Sequence, residues 1–259
     1  MMAIEEGNRM NDLVKINWSD SIAEIQMDRK PVNALNQELI QSIHNAIDSS
    51  TEQGAKGLIL SGNEGIFSAG LDVKSLITLS ETEISDFFHL FWGLMGKISK
   101  SPIPVVAAIT GHSPAGGAVL TTFCDYRIAA KGDFKIGMNE VFVGLSVPKI
   151  IFKAFARLVG ENHANILMMQ GKLMKFDFAH DIGFINELVD MDQVVPRSFE
   201  WLDQLVSLPT IAMNSTRMNA KADLNDLIDK DLIMMGDKFA DNWFSDEVQI
   251  RMKEIVKSL

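Results

Sequence analysis

The chain has almost no cysteine and no excess of basic residues. Cys124 is the only cysteine among 259 residues, so an intrachain disulfide is impossible, and its apolar surroundings predict a buried, unreactive thiol. Lysine and arginine number 24 against 34 aspartate and glutamate, which gives a formal net charge of −10. A surface that binds nucleic acid or an anionic membrane needs a basic stripe, so neither partner is expected.

Targeting and membrane signals are missing as well. No run of about 18 apolar residues is present, and no membrane insertion is expected. Residues 1–11 carry Glu5, Glu6 and only one arginine, Arg9, which matches neither a signal peptide nor an arginine-rich transit peptide. Together with the single cysteine, these features predict a cytoplasmic protein with a frayed N-terminal tail.

Metal-binding and dinucleotide-binding motifs are not found. The five histidines show no i, i+4 pairing with a carboxylate at the spacing of a metal site, and a single cysteine cannot form a thiolate cluster. No G-x-G-x-x-G sequence follows a strand pattern. We therefore expect no metal and no separate cofactor.

Hydrophobic periodicity predicts strands that alternate with short helices. Residues 14–18 and 22–27 alternate in polarity around a polar turn, as in a hairpin, and Asn36 is placed to cap the next helix. Strands are predicted at 57–60, 104–109, 125–129 and 134–136, and helices at 81–99, 118–124, 148–158 and 162–170. From residue 194 onward only helices are predicted, at 194–208, 210–221, 224–239 and 246–257. This order indicates an α/β protein whose sheet is covered by helices.

Two glycine-bearing turns lie where a strand gives way to a helix. Residues 111–119, GHSPAGGAV, follow the strand at 104–109, and residues 65–72, GIFSAGLD, precede a short helix that Asp72 is expected to cap. Glycine lets the backbone approach a ligand closely, and the first amides of a helix lack partners within the helix and attract negative charge. Such a turn can bind a phosphate, or an oxyanion that forms only during a reaction.

An alternative for the first of these turns is the nucleophile elbow G-x-S-x-G, with Ser113 as the nucleophile. Two residues depart from that motif. The closing glycine is replaced by Ala115, and Pro114 has no N–H group to donate to an oxyanion hole. We therefore disfavour a serine hydrolase.

Three segments resemble the crotonase, or enoyl-CoA hydratase/isomerase, superfamily, and within it most closely the mitochondrial-type 3,2-trans-enoyl-CoA isomerases. They are FSAGLD at 67–72, PAGGAVLTTFCDYRI at 114–128 and IGMNEVFVGL at 136–145. The resemblance implies the crotonase fold, with a spiral α/β core of strand-strand-helix units at 1–193 and a C-terminal helical region at 194–259 used in oligomerisation. It also implies an acyl-CoA substrate and a homotrimer or a dimer of trimers.

The resemblance assigns roles to particular residues. The backbone amides of Leu71 and Gly116 would form the oxyanion hole, and Glu140 would be the catalytic base. Asn139 would line the acyl end of the site, although a structural role in the turn is an equal alternative. The CoA moiety would contact backbone at Val32, Ala34, Ala69, Gly70, Leu71, Asp72 and Val73.

The position of a second acid separates the reactions within this superfamily. The hydratases have another glutamate three residues after the second oxyanion-hole glycine, where this chain has Val119, and the dienoyl-CoA isomerases have an aspartate where this chain has Pro148. Migration of a double bond needs no water, because one base can take a proton from C2 and return it at C4. The sequence therefore favours conversion of a 3-enoyl-CoA to a trans-2-enoyl-CoA.

Several alternatives remain open at the level of sequence. A carboxylate from another segment, such as Asp72, Glu83 or Glu161, could complete a hydratase or an acyl-CoA thioesterase, and a noncatalytic binding protein of the same fold is a further possibility. The acyl tail needs an apolar tunnel. The aromatic residues that could supply it are Phe87, Phe88, Phe91 and Trp92.

Overall fold

A computed structural model describes the backbone of residues 9–11 and 13–258 and the side chains of residues 13–231 and 236–257. The strands are β1 (Arg9–Asn11), β2 (Val14–Ser19), β3 (Ile22–Met27), β4 (Gly57–Ser61), β5 (Gly65–Ile66), β6 (Val105–Ile109), β7 (Gly111–Pro114), β8 (Tyr126–Ala130), β9 (Lys135–Gly137), β10 (Met174–Lys175) and β11 (Glu187–Val189). The α-helices are α1 (Gln37–Glu52), α2 (Val73–Leu76), α3 (Glu81–Ser99), α4 (Gly116–Phe123), α5 (Lys149–Val159), α6 (Glu161–Met169), α7 (Phe176–Asp181), α8 (Val194–Val206), α9 (Thr210–Ala220), α10 (Ala222–Trp243) and α11 (Asp246–Ser258). Short 3-10 turns occur at Glu140–Val143 and Met191–Gln193.

The larger sheet is buried on both faces. Its strand order is β1-β2-β3-β4-β6-β8-β11; β1 and β2 pair antiparallel with their neighbours, and the strands from β3 to β11 run parallel. Along β6, Val105 and Ala107 face the main core, whereas Val106 and Ala108 face a second core covered by α8. Coverage by helices on both faces explains why the central strands, β4 and β6, are buried at every position.

A smaller sheet, of order β10-β9-β7-β5, organises the functional segments. Strand β5 pairs parallel with β7, Ile66 opposite His112, and β7 pairs parallel with β9, Pro114 opposite Gly137. The carboxyl ends of parallel neighbours meet at one edge of a sheet. The chain segments that follow β5, β7 and β9 therefore emerge side by side.

The predicted helix caps are present. The Asn36 side chain accepts a hydrogen bond from the Leu39 amide at the start of α1, at 3.0 Å, and the Asp72 side chain accepts one from the Ser75 amide at the start of α2, at 3.2 Å. Each side-chain oxygen satisfies an amide that has no partner within the helix.

Helix α10 packs along α3 through aromatic side chains. The Phe88 ring lies 4.5 Å from that of Phe239 and 5.8 Å from that of Trp243, both edge-on. The sequence spaces Ile228, Leu232, Met235 and Phe239 as an apolar stripe along this helix. Ile228 and Phe239 are buried, and Leu232 and Met235 lie outside the described side chains.

Helix α9 differs from α10 because none of its residues is buried. Within the described part of the chain, no helix is long and apolar enough to cross a membrane.

The structure corrects several sequence predictions. Residues 1–8 of the expected N-terminal tail lie outside the described residues, but Arg9–Asn11 pair with β2 as a strand. Helix α4 begins at Gly116 rather than at residue 118, so the glycine turn predicted at 111–119 is shorter than expected. Strands β5, β7, β10 and β11 were not predicted, because segments of two to four residues are too short to show periodicity.

Candidate active site

The two glycine turns pack directly against each other. A β-carbon added to Gly70 would stand 2.9 Å from Ala115 Cβ and 3.3 Å from the Gly116 nitrogen, and Gly70 has a φ of +86° that favours glycine. A β-carbon on Gly116 would stand 3.4 Å from the Leu71 side chain. This close approach brings the Leu71 and Gly116 backbones together.

The Leu71 and Gly116 amides are free to donate to a ligand. On either side of Leu71, the Leu35 amide donates to the Gly70 carbonyl and the Asp72 amide donates to the Leu35 carbonyl, which leaves the Leu71 N–H out of the pairing. Gly116 is the first residue of α4, whose opening amides have no partner within the helix. Among the described residues, neither amide donates to a protein acceptor.

The residue before Gly116 holds an unusual backbone conformation. Ala115 has φ 48° and ψ −122°, a region that a side chain disfavours. Its amide donates to the Gly137 carbonyl of β9 at 2.8 Å. Because strain of this kind persists only when surrounding contacts impose it, the pairing of β7 with β9 determines where the Gly116 amide points.

A cavity of about 260 Å³ opens beside these amides. Of the residues assigned to the site from sequence, those that line it are Val32, Ala34, Ala69, Leu71, Asp72, Val73, Gly116, Asn139 and Glu140. Gly70 is the exception: its amide donates to Ser68 Oγ at 3.1 Å and it packs behind the wall. Its contribution to the site is the close approach of the two turns rather than contact with the cavity.

Glu140 lies at the start of the 3-10 turn that follows β9. Its Oε2 atom is buried with no hydrogen-bond partner among the described residues. Burial raises the pKa of its carboxyl to about 7, although a hydrogen bond from its own amide acts in the opposite direction. Helix α11 packs against the same turn, since a β-carbon on Gly144 would stand 3.2 Å from Val248. Glu140 is therefore a carboxylate poised to exchange a proton near neutral pH.

The other carboxylates considered from sequence do not match this environment. Asp72 lines the cavity, but its carboxylate accepts hydrogen bonds from Arg29, at 2.7 Å, and from Ser75 Oγ, at 2.8 Å. Burial disfavours the charge on Asp72, yet the bonds from Ser75 and the Arg29 charge together lower the pKa of its carboxyl. Glu83 is exposed in the capping box of α3, and Glu161 pairs with Lys153 on the surface.

The two positions that discriminate between reactions are both part of the cavity wall. Val119 is buried on α4, three residues after Gly116, and Pro148 precedes α5. Asn139 also lines the wall next to Glu140, and its carbonyl accepts from the Phe142 amide at 3.0 Å, so its backbone shapes the turn. At both of these positions the cavity wall is therefore apolar.

The rest of the cavity is an apolar tunnel that is only partly visible in the sequence. Phe88, Phe91 and Trp92 line it as expected. Phe87 does not line it; its ring stacks parallel to that of Phe91 inside the core, with centroids 6.3 Å apart. Sequence reasoning missed a further set of lining residues, Val143, Leu145 and Ile151 from the segment after Glu140 and Phe239, Met252 and Ile255 from the C-terminal helices.

The residues of the competing kinds of site lie in other surroundings within the described part of the chain. Ser113 is fully buried within β7, so it is not presented at an exposed elbow. Cys124 is buried, and burial raises the pKa of its thiol to about 12, as expected of an unreactive cysteine. Across the described ranges of the chain, no group of three or more metal-ligating side chains is found.

The family model for enoyl-CoA hydratase/isomerase matches residues 17–249, and the chain belongs to this family. The chain is 27% identical over 220 residues to "Enoyl-CoA delta isomerase 1, mitochondrial" of Rattus norvegicus, covering 83% of this chain and 76% of the relative. It is equally 27% identical over 223 residues to "Crotonyl-CoA hydratase" of Syntrophomonas wolfei, covering 85% of each chain.

The fold agrees with this assignment. The structure of human mitochondrial delta3-delta2-enoyl-CoA isomerase superposes with a TM-score of 0.90 at 23% identity, covering 95% of this chain and 97% of that chain. The family resemblance and the crotonase fold expected from sequence are confirmed. Because an isomerase and a hydratase match at the same identity, similarity alone does not distinguish the two reactions.

Proposed function

We propose that this protein is an enoyl-CoA isomerase that moves the double bond of a 3-enoyl-CoA to the trans-2 position. One observation carries the proposal: two free backbone amides face a cavity whose one unpaired buried carboxylate, among the described residues, is Glu140. Val119 occupies the position at which the hydratases of this family carry a second glutamate. Such a site can move a proton, and the other carboxylate in its wall, Asp72, is held by Arg29 and Ser75.

In the proposed reaction, the Leu71 and Gly116 amides donate hydrogen bonds to the thioester carbonyl oxygen. Ionised Glu140 takes a proton from C2, and the resulting negative charge spreads over a dienolate whose oxygen lies in the oxyanion hole. The protonated Glu140 then delivers the proton to C4, which leaves the double bond between C2 and C3. Removing one donor of this kind typically raises the barrier by about 2.7 to 4 kcal/mol.

The raised pKa of Glu140 suits a residue that takes a proton from C2 and returns it at C4. A base with a pKa near the working pH is ionised often enough to accept a proton and holds it weakly enough to return it. The reaction transfers only a proton, so we propose that it needs no cofactor beyond the CoA that the substrate carries. Backbone near Val32, Ala34 and Ala69 would hold the CoA moiety, since the Ala69 amide donates to the Val32 carbonyl at 2.9 Å and fixes these segments together.

A hydratase is the second candidate, because Asp72 lies in the same cavity and a hydratase relative matches equally well. A thioesterase or a noncatalytic binding protein has less support, since the Asp72 carboxylate is held by Arg29 and Ser75 and the free Glu140 is the residue poised for proton transfer.

One assay separates these functions. The purified protein is offered 3-enoyl-CoA and, separately, trans-2-enoyl-CoA, and formation of the conjugated thioester, of the 3-hydroxyacyl product and of free CoA is followed. We expect isomerisation without net hydration or hydrolysis, and we expect Glu140→Gln to lose it while still binding acyl-CoA. Glu161→Gln, the same change at an exposed glutamate, serves as the matched control. Comparable hydration of crotonyl-CoA would instead support the hydratase, and full activity of Glu140→Gln would refute the mechanism.

We also propose that the protein assembles as a trimer, or as a dimer of trimers, through its C-terminal region. Helix α9 buries none of its residues, and Ile211 is 85% exposed beside half-exposed Leu208. Large apolar side chains exposed together are typical of an interaction surface. The division of the chain at residue 194 and a cytoplasmic location remain predictions; the rat relative is named as mitochondrial.

A further inference from the structure

A second cavity lies directly behind the end of the acyl tunnel. It has a volume of about 310 Å³ and shares two wall residues, Pro148 and Phe239, with the catalytic cavity. The rest of its described lining comes from the start of α5 and from α10, namely Ser146, Lys149, Ile150, Asp231, Lys238 and Asn242. One aromatic ring and one proline ring therefore separate an apolar chamber from a more polar one that is open to solvent.

Phe239 is firmly held in this position. Its ring is edge-on to Phe88, with centroids 4.5 Å apart, and edge-on to Trp92, with centroids 5.5 Å apart, and the residue is 7% exposed. Edge-to-face pairs of this kind stabilise one orientation of the ring beyond the burial of its surface. The ring is therefore held in one position, where it lines both cavities.

We propose that Phe239, together with Pro148, is the partition that sets the longest acyl chain the enzyme accepts. The proposal rests on the acyl-CoA substrate of the proposed function. The catalytic cavity has a volume of about 260 Å³, and part of it lies beside the Leu71 and Gly116 amides that would hold the thioester, so only the remainder is open to the acyl chain. A longer chain would have to displace the Phe239 ring.

The second cavity would become the continuation of the tunnel if Phe239 were replaced by a smaller residue. Ile150 and Pro148 offer apolar wall there, and the aliphatic stems of Lys149 and Lys238 can cover an alkyl chain while their ammonium groups stay in water. The chain end would then reach solvent between α5 and α10. Substrate length would be set by the size of the residue at 239 rather than by the catalytic turns.

Binding of saturated acyl-CoAs from butanoyl to hexadecanoyl tests this proposal without requiring any reaction. In the wild type, affinity should rise by at most about fourfold for each added methylene and level off once the chain end meets the Phe239 ring. In Phe239→Leu and Phe239→Ala the plateau should move to longer chains, and in Phe239→Trp it should stay or move to shorter ones. Phe244→Ala, an aromatic truncation just past α10 that lines neither cavity, should leave the profile unchanged.

The outcomes are distinguishable. An affinity that keeps rising to hexadecanoyl in the wild type would overturn the proposal, and so would a plateau at the wild-type chain length in a folded Phe239→Leu. Thermal unfolding of each variant identifies any that fail to fold, and Phe239→Leu is included because it keeps most of the buried volume. If no acyl-CoA binds to the wild type, the proposed function itself fails.

Discussion

Replacing Glu140 by glutamine should stabilise the protein at the pH at which it removes activity. Glutamine keeps the shape of the side chain but carries no charge. In the wild type, burial holds the pKa of Glu140 at about 7, well above its ordinary value of 4.5, because a charge there has lost its water. The variant therefore lacks the destabilisation of the folded state that the wild type has whenever Glu140 is ionised.

The magnitude follows from the two pKa values. Between about pH 4.5 and pH 7 the Glu140 carboxyl is ionised in the unfolded chain but still protonated in the folded protein. The free energy of unfolding of the wild type therefore falls as the pH rises through this range, and Glu140 causes no further change above pH 7. At about 1.4 kcal/mol per pH unit, the cost is small near pH 4.5 and reaches on the order of 3 kcal/mol at pH 8. This figure is an upper limit because Glu140 is only half-buried as a whole residue.

Urea unfolding of the wild type and of Glu140→Gln at pH 5 and pH 8 measures the effect. Every other titrating group is common to both proteins, so the difference between their free energies of unfolding isolates Glu140. We expect the advantage of the variant to grow by about 2 kcal/mol between the two pH values. An advantage that is the same at both pH values would refute the argument that Glu140 is a desolvated base.

Three further predictions follow from the described geometry. The kcat/KM of isomerisation should rise about tenfold per pH unit below pH 7 and be level above it, because Glu140 must be ionised; a break near pH 4.5 would contradict this. Gly70→Ala should reduce both activity and stability, whereas Gly54→Ala, with a similar positive φ but no atom within 4 Å of the new β-carbon, should lose about 1 kcal/mol of stability and no activity. Ile211→Glu should reduce the oligomer's mass in light scattering, and an unchanged mass would show that α9 is not the subunit contact.

The catalytic end of the site could be predicted from sequence because it depends on short local patterns. A glycine turn before a helix indicates free amides wherever it occurs, and the segments around Leu71, Gly116 and Glu140 each carry such a pattern or a recognisable resemblance. Their convergence could not be derived, because it depends on the pairing of β5 with β7 and of β7 with β9. Strands β5 and β7 are too short to be seen as periodicity.

The acyl end of the site was predicted less well. Phe88, Phe91 and Trp92 share one face of α3 at spacings of three and four residues. The spacing did not separate Phe87 from them, because Phe87 is four residues before Phe91; in the structure its ring stacks on that of Phe91 and does not line the cavity. Phe239 and Met252 reach the cavity from the last two helices, more than 100 residues beyond Val119. Nothing local to those positions indicates the contact, because the tertiary packing of α10 and α11 creates it.

The proposed oxyanion hole consists of main-chain amides, so its two donors belong to the backbone rather than to any side chain. Substitutions at the surrounding positions leave the Leu71 and Gly116 donors in place as long as the backbone course is kept, so a sequence can drift far while this part of the proposed site persists. In the proposed mechanism, the side chain at Val119 instead decides whether a second acid is available. In such a scaffold, most substitutions leave the stabilisation of negative charge intact, whereas a change at one position of the cavity wall can alter which reaction is catalysed.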